Sequence, residues 1–213
     1  MDLTNENNQV SLSGRVLEDP LFSHELFGEA FYRFELAVPR LSGVEDVLPV
    51  TVSGRLLPCL PNAGDELLVF GQLRSYNMQT ERANRLLVTV FAKSISQRRS
   101  ETEGYMNEIM LTGYICKPPV YRTTPFSREI ADMLLAVNRP YHKSDYLPVI
   151  AWGRNARFVG GLEVGDRLHI TGRVQSRHYQ KALPDGTVLE RIAYEVSAAT
   201  VSFDEPSSAF DEG

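Results

Sequence analysis

Cysteine is nearly absent: Cys59 and Cys116 are the only two in 213 residues, and neither has a neighbouring Cys or His at ligand spacing. That excludes a disulfide framework and gives no support to a zinc site, which leaves buried free thiols as the simplest reading. No apolar run approaches the roughly 20 residues of a membrane-spanning helix. The start, Met1-Asp-Leu-Thr-Asn-Glu-Asn-Asn8, lacks the basic and apolar segments of an export signal, so a cytoplasmic, non-membrane protein is expected. Motifs for catalysis are missing too. There is no Gly-x-x-x-x-Gly-Lys-Ser/Thr run, no His-Glu-x-x-His and no Gly-x-Ser-x-Gly, so no enzyme, catalytic residue, metal or cofactor is expected. Asp145 and Glu190 are isolated acids, better suited to ion pairing than to holding metal ions.

Positive charge is scarce overall, with a formal net charge of -5, but it is unevenly placed. Residues 8–99 hold ten Lys/Arg against ten Asp/Glu, whereas residues 107–203 hold twelve against nine. The acidic excess lies in the two ends and the connector. An approaching polyanion responds to the local field, so only the second half offers it a basic surface.

What the chain does have is a repeat. Shifted by 99 positions, Val10-Ser-Leu-Ser-Gly-Arg-Val16 falls on Ile109-Met-Leu-Thr-Gly-Tyr-Ile115, and Leu48-Pro-Val50 falls on Leu147-Pro-Val149. At a slightly longer offset, Leu67-Leu-Val-Phe-Gly71 falls on Leu168-His-Ile-Thr-Gly172. Tandem domains follow: 8–98 and 107–203, joined by a polar linker at 99–106 and followed by an acidic tail at 204–213. In the second copy, β-rich runs at 109–115, 129–137, 146–152, 167–177 and 189–201 are bounded by turn residues. One helical candidate, Asn155 to Gly161, stands between the third and fourth runs. Five strands with that helix describe a small Greek-key barrel, so the expected class is all-β with short helices, two tandem OB-folds.

Strand parity separates core from surface. Leu147, Val149 and Ala151 share a side and match Leu48, Val50 and Val52; Leu168, Ile170 and Val174 match Leu67, Val69 and Leu73. The opposite side differs between the copies. The second presents Tyr146, Trp152 and Tyr179 with Arg154, His169, Arg173 and Arg177, and the turn 138–145 adds Arg139, Tyr141 and Lys143. The first has Ser42, Val47, Ser53 and Met78 where the second has its four rings. Flat rings among guanidinium groups suit unpaired bases and their phosphates, without reading sequence.

The second repeat, 107–203, resembles over nearly its whole length the DNA-binding domain of bacterial single-stranded DNA-binding proteins (SSB), through several segments. These are Asn107-Glu-Ile-Met-Leu-Thr-Gly-Tyr-Ile115, Asp145-Tyr-Leu-Pro-Val-Ile-Ala-Trp-Gly-Arg154 and Leu162-Glu-Val-Gly-Asp-Arg-Leu-His-Ile-Thr-Gly172. The resemblance places that family's stacking rings on Tyr141, Tyr146, Trp152 and Tyr179, and implies a role on single-stranded DNA at the nucleoid in replication, recombination or repair. Such proteins assemble four domains, which implies a homodimer here. Val47, Leu68 and Phe70 form the apolar outer patch expected to serve that assembly, or to meet the sister domain. The tail holds Phe210 among acidic residues, where replication or repair proteins dock on the family's members. The alternative is a primosome or plasmid-replication accessory protein whose barrels mainly bind other proteins.

Overall fold

The computed structural model describes residues 7–56, 60–80, 83–98, 104–182 and 186–204, without the side chains of 78–80 and 83–85. Cys59, the Met78 side chain, most of the linker, the tip 183–185 and the tail from 205 lie outside the described residues. The first repeat comprises β1 (Asn8–Val16), β2 (Leu21–Leu26), β3 (Glu29–Pro39), β4 (Glu45–Ser53), a 3-10 turn at Gly54–Leu56, β5 (Glu66–Thr80) and β6 (Ala83–Gln97). The second comprises β7 (Asn107–Ile115), β8 (Val120–Thr123), β9 (Glu129–Arg139), β10 (Lys143–Trp152), α1 (Arg154–Gly160), β11 (Arg167–Ala182) and β12 (Val188–Phe203).

Each repeat is a closed OB-type barrel. Antiparallel hairpins are joined by one parallel pairing, β4 with β6 or β10 with β12, and the first strand returns to pair with the third. Six strands form where the sequence suggests five. The extra one, β2 or β8, is fully exposed, so it carries no inner-face apolar alternation for the pattern to reveal. The helix appears within a residue of its expected place in the second repeat, and the first has the 3-10 turn instead.

The inner parity is the core. Leu12, Leu36, Leu48 and Leu73 in one barrel and Leu111, Leu135, Leu147 and Leu168 in the other are at most 1% exposed. Truncating any one to Ala removes about 2–5 kcal/mol. Strands β5 and β11 bulge at the same place, between Phe70 and Gly71 and between Thr171 and Gly172. A Cβ at Gly71 would run into the Phe91 carbonyl, and one at Gly172 into that of Ser197; glycine lets the paired strand approach.

Two barrels become one sheet through β1 and β7, which pair antiparallel from Asn8↔Leu111 to Leu12↔Asn107. The result is a single 12-stranded order, β2-β3-β4-β6-β5-β1-β7-β11-β12-β10-β9-β8. Asn8 donates to the Leu73 carbonyl at 2.7 Å and accepts from its amide at 2.9 Å; Asn107 does the same with Val174, at 2.8 and 2.9 Å. The far end of the expected linker is built into this seam, because Ser13 and Met106 exchange two hydrogen bonds.

Candidate nucleic-acid interface

The outer face of the second barrel is assembled by register. Arg122↔Ile130 and Ile130↔Trp152 make one row across β8, β9 and β10. Ile150 lies beside Ser197 of β12, and on β12 the same phase continues through Glu195, Ala193 and Arg191, opposite Gln175, Arg177 and Tyr179 of β11. Tyr146, Trp152 and Tyr179 therefore share one face, and they are 41%, 41% and 39% exposed. Tyr141 stands at the tip of the β9–β10 hairpin, 92% exposed, with φ 63° beside His142 at φ 54°. Left-handed backbone is uncommon for bulky residues, and the turn holds the ring outward at some conformational cost.

Between the rings runs an alternating charge network. Arg122 pairs with Asp132 at 2.8 Å. Arg177 reaches both oxygens of Glu195 at 3.1 Å. Glu195, 5% exposed, also accepts from Gln175 at 2.8 Å. The hydrogen bond to Glu195 raises the Arg177 pKa above its ordinary value, and the guanidinium lies 5.7 Å from the Tyr179 ring centre. Arg177 is thus positioned beside a ring but partly neutralised by a neighbour.

The other expected cations separate into groups. Lys143 and Arg154 are exposed, with no ion pair among the described residues. Arg139 and Arg173 instead join the seam between the barrels. There Asp145, fully buried, accepts from Arg74 at 3.1 Å and from the Ser75 amide at 2.8 Å, and Arg139 of its own barrel lies 3.3 Å away as an ion pair without a hydrogen bond. Asp46, equally buried, receives Arg40 at 2.5 Å, Arg173 at 3.2 Å and the Ser176 amide at 2.8 Å. Burial pushes the Asp145 carboxyl up, against the pull of the Ser75 amide, Arg139 and Arg74. Burial and the nearby Arg40 lower Arg173. Arg173 thus bridges the barrels through Asp46, while Arg139 pairs with Asp145 of its own barrel at the same seam, so both are engaged by carboxylates where Lys143 and Arg154 are not.

His169 is also displaced from the expected group. It lies on the part of β11 that pairs with β7, where its Nδ1 is 3.2 Å from the Thr112 hydroxyl. Its counterpart in the first barrel is Leu68, so it belongs to the sheet beside the seam. Val47 meets the sister domain, one of its two expected neighbours, and so parts from Leu68 and Phe70. It sits on β4, which neighbours β3 and β6, whereas Leu68 and Phe70 are on β5 beside β1. Val47 donates its amide to Ser176 of the sister barrel at 3.1 Å. Phe70, in register with Ser11 of β1, remains 41% exposed, and Leu68, in register with Ser13, is half-buried. Asp145 pairs with arginines, as expected, and it does so as a buried partner at the domain seam.

Two basic residues of this face escaped the sequence reading. Arg122 sits on the unforeseen β8, and Arg191 faces Tyr179 from β12. Parity along the last strand would have found Arg191. Nothing marked Arg122 until its row with Trp152 was known.

Comparison with known proteins points to one family. The Single-strand binding protein family matches residues 106–204. Single-stranded DNA-binding protein 2 of Listeria monocytogenes is 32% identical over 115 residues, 51% of this chain and 69% of its own length. The single-stranded DNA-binding protein of Caldanaerobacter subterraneus is 30% identical, covering 51% of this chain and 74% of its own length. The crystal structure of wild-type single-stranded DNA binding protein from Thermus aquaticus covers 95% of each chain, with a TM-score of 0.75 and 25% identity.

Proposed function

We propose that this chain, which belongs to the single-strand binding protein family, binds single-stranded DNA without sequence preference, mainly on its second barrel. The carrying observation is that Tyr146, Trp152 and Tyr179 are exposed on one face, with Tyr141 at its rim. Bases stack on these rings while Lys143, Arg154, Arg122 and Arg177 meet the phosphates. Duplex DNA hides its base faces and cannot use such a platform. The reading supports a role in DNA replication, recombination or repair.

Assembly is part of the same proposal. Phe70 stays exposed and Leu68 half-buried among the described residues, and their face continues across β1 onto β7 and β11. A second copy closing on this face would give a homodimer of four barrels.

Trp152 is the sole tryptophan and lies in the site, so its emission reports occupancy. Oligo(dT) should quench it, and added salt should reverse the quench as counterions compete for the phosphates. Unchanged emission at low salt would refute the assignment.

A further inference from the structure

Resting on that reading, we infer that Phe27 and Phe126, at the tips of two equivalent hairpins, are nucleobase-stacking residues, and that the strand therefore also touches the first barrel. The two phenylalanines are 99 positions apart in sequence. Phe27 is 95% exposed between β2 and β3, and Phe126 is 87% exposed between β8 and β9. The first barrel lacks all four rings of the main platform but keeps this one.

The turn does not call for phenylalanine. Phe27 and Gly28 have φ of 51° and 73°, a pair of positive values that Asn-Gly fills with less strain. Nor does the core, since neither ring is buried. Position favours a nucleic-acid strand as the occupant. The Phe126 hairpin carries the row Arg122–Ile130–Trp152, so its tip continues the proposed platform. In the first barrel the corresponding row is His24–Phe31–Ser53, with the His24 ring stacked on Phe31 at 4.8 Å and 10°. Arg33, two residues along the same face, is exposed and has no ion pair among the described residues; the second barrel has Asp132 there. On the first barrel an exposed ring and an unpaired cation thus share one hairpin, which is the combination that base stacking and phosphate contact use.

The test uses the full chain, with anisotropy of a labelled oligo(dT) long enough to span both barrels. Phe126→Ala and Phe27→Asn should each weaken binding by about fivefold or more. Their salt dependence should stay parental, because no charge is lost. Phe27→Asn should melt no lower than the parent, which separates lost contact from lost fold. Arg33→Gln should flatten the salt dependence. Oligo(dT) carrying 5-iodouracil should cross-link on irradiation to peptides containing Phe27 and Phe126. Affinities within twofold of the parent for both phenylalanine variants, while Tyr146→Ala and Trp152→Ala bind weakly, would overturn this inference alone. Failure of the parent chain to bind oligo(dT) would overturn the proposed function with it.

Discussion

The two barrels share a core and differ on the face that could meet a ligand. Leu36, Leu48, Leu73 and their counterparts Leu135, Leu147 and Val174 are equally buried, whereas Trp152 is exchanged for Ser53 and Tyr146 for Val47. The Ser53 hydroxyl instead donates to Glu29, and Thr51 and Thr89 pair on the adjoining strands at 3.0 Å. One face is closed by its own hydrogen bonds, while the other leaves rings uncovered. Constraint on a barrel interior is set by packing, and outer positions are free to specialise.

The seam is where the copies should be most alike. Asp145→Ala leaves Arg74 and Arg139 without their carboxylate and should cost about 3–5 kcal/mol. Asp46→Ala should cost a similar amount by stranding Arg40 and Arg173. Chemical denaturation measures both; a large inequality would show that the two junctions are not equivalent.

The outer faces should separate next. Tyr146→Ala with Trp152→Ala should weaken oligo(dT) binding by about 100-fold whatever the base composition. Val47→Ala with Ser53→Ala in the first barrel should leave the affinity within about twofold, since neither side chain stacks. Equal losses would break the contrast between the barrels. A smaller effect is expected at the assembly face. Phe70→Asp puts a charge where a second copy would bury a ring, and should raise the dissociation concentration about tenfold or more. Sedimentation would read this, with DNA affinity per barrel unchanged.

The smallest change sharpens the electrostatic difference. Glu195→Gln frees Arg177 for phosphate, so affinity at low salt should rise and the salt dependence should steepen by roughly one phosphate contact. Titration at several salt concentrations checks it; a flat response would mean that Arg177 is held away from the strand.

Much of this was legible in the chain. The 99-residue shift showed two copies, and period-two alternation found the core leucines, because burial on one face of a strand leaves a local signature. The same alternation put Tyr146, Trp152 and Tyr179 outward. It could not tell that Arg173 and His169, though outward-facing, turn to the sister barrel and the adjoining sheet, or which of its two expected neighbours Val47 meets. Parity states which side of a strand a residue occupies. It does not state what lies across from that side.

Sequence alone determined the repeat, the inner faces and the ring-rich character of the second copy, since each is written in residue order and spacing. Tertiary structure decided that β10 lies beside β12, that β1 joins β7, and which arginines remain available. Those outcomes depend on pairings between residues as much as 136 positions apart, such as Arg40 with the Ser176 carbonyl. A carboxylate buried at such a contact captures the nearest guanidinium, and no local pattern records which one that is.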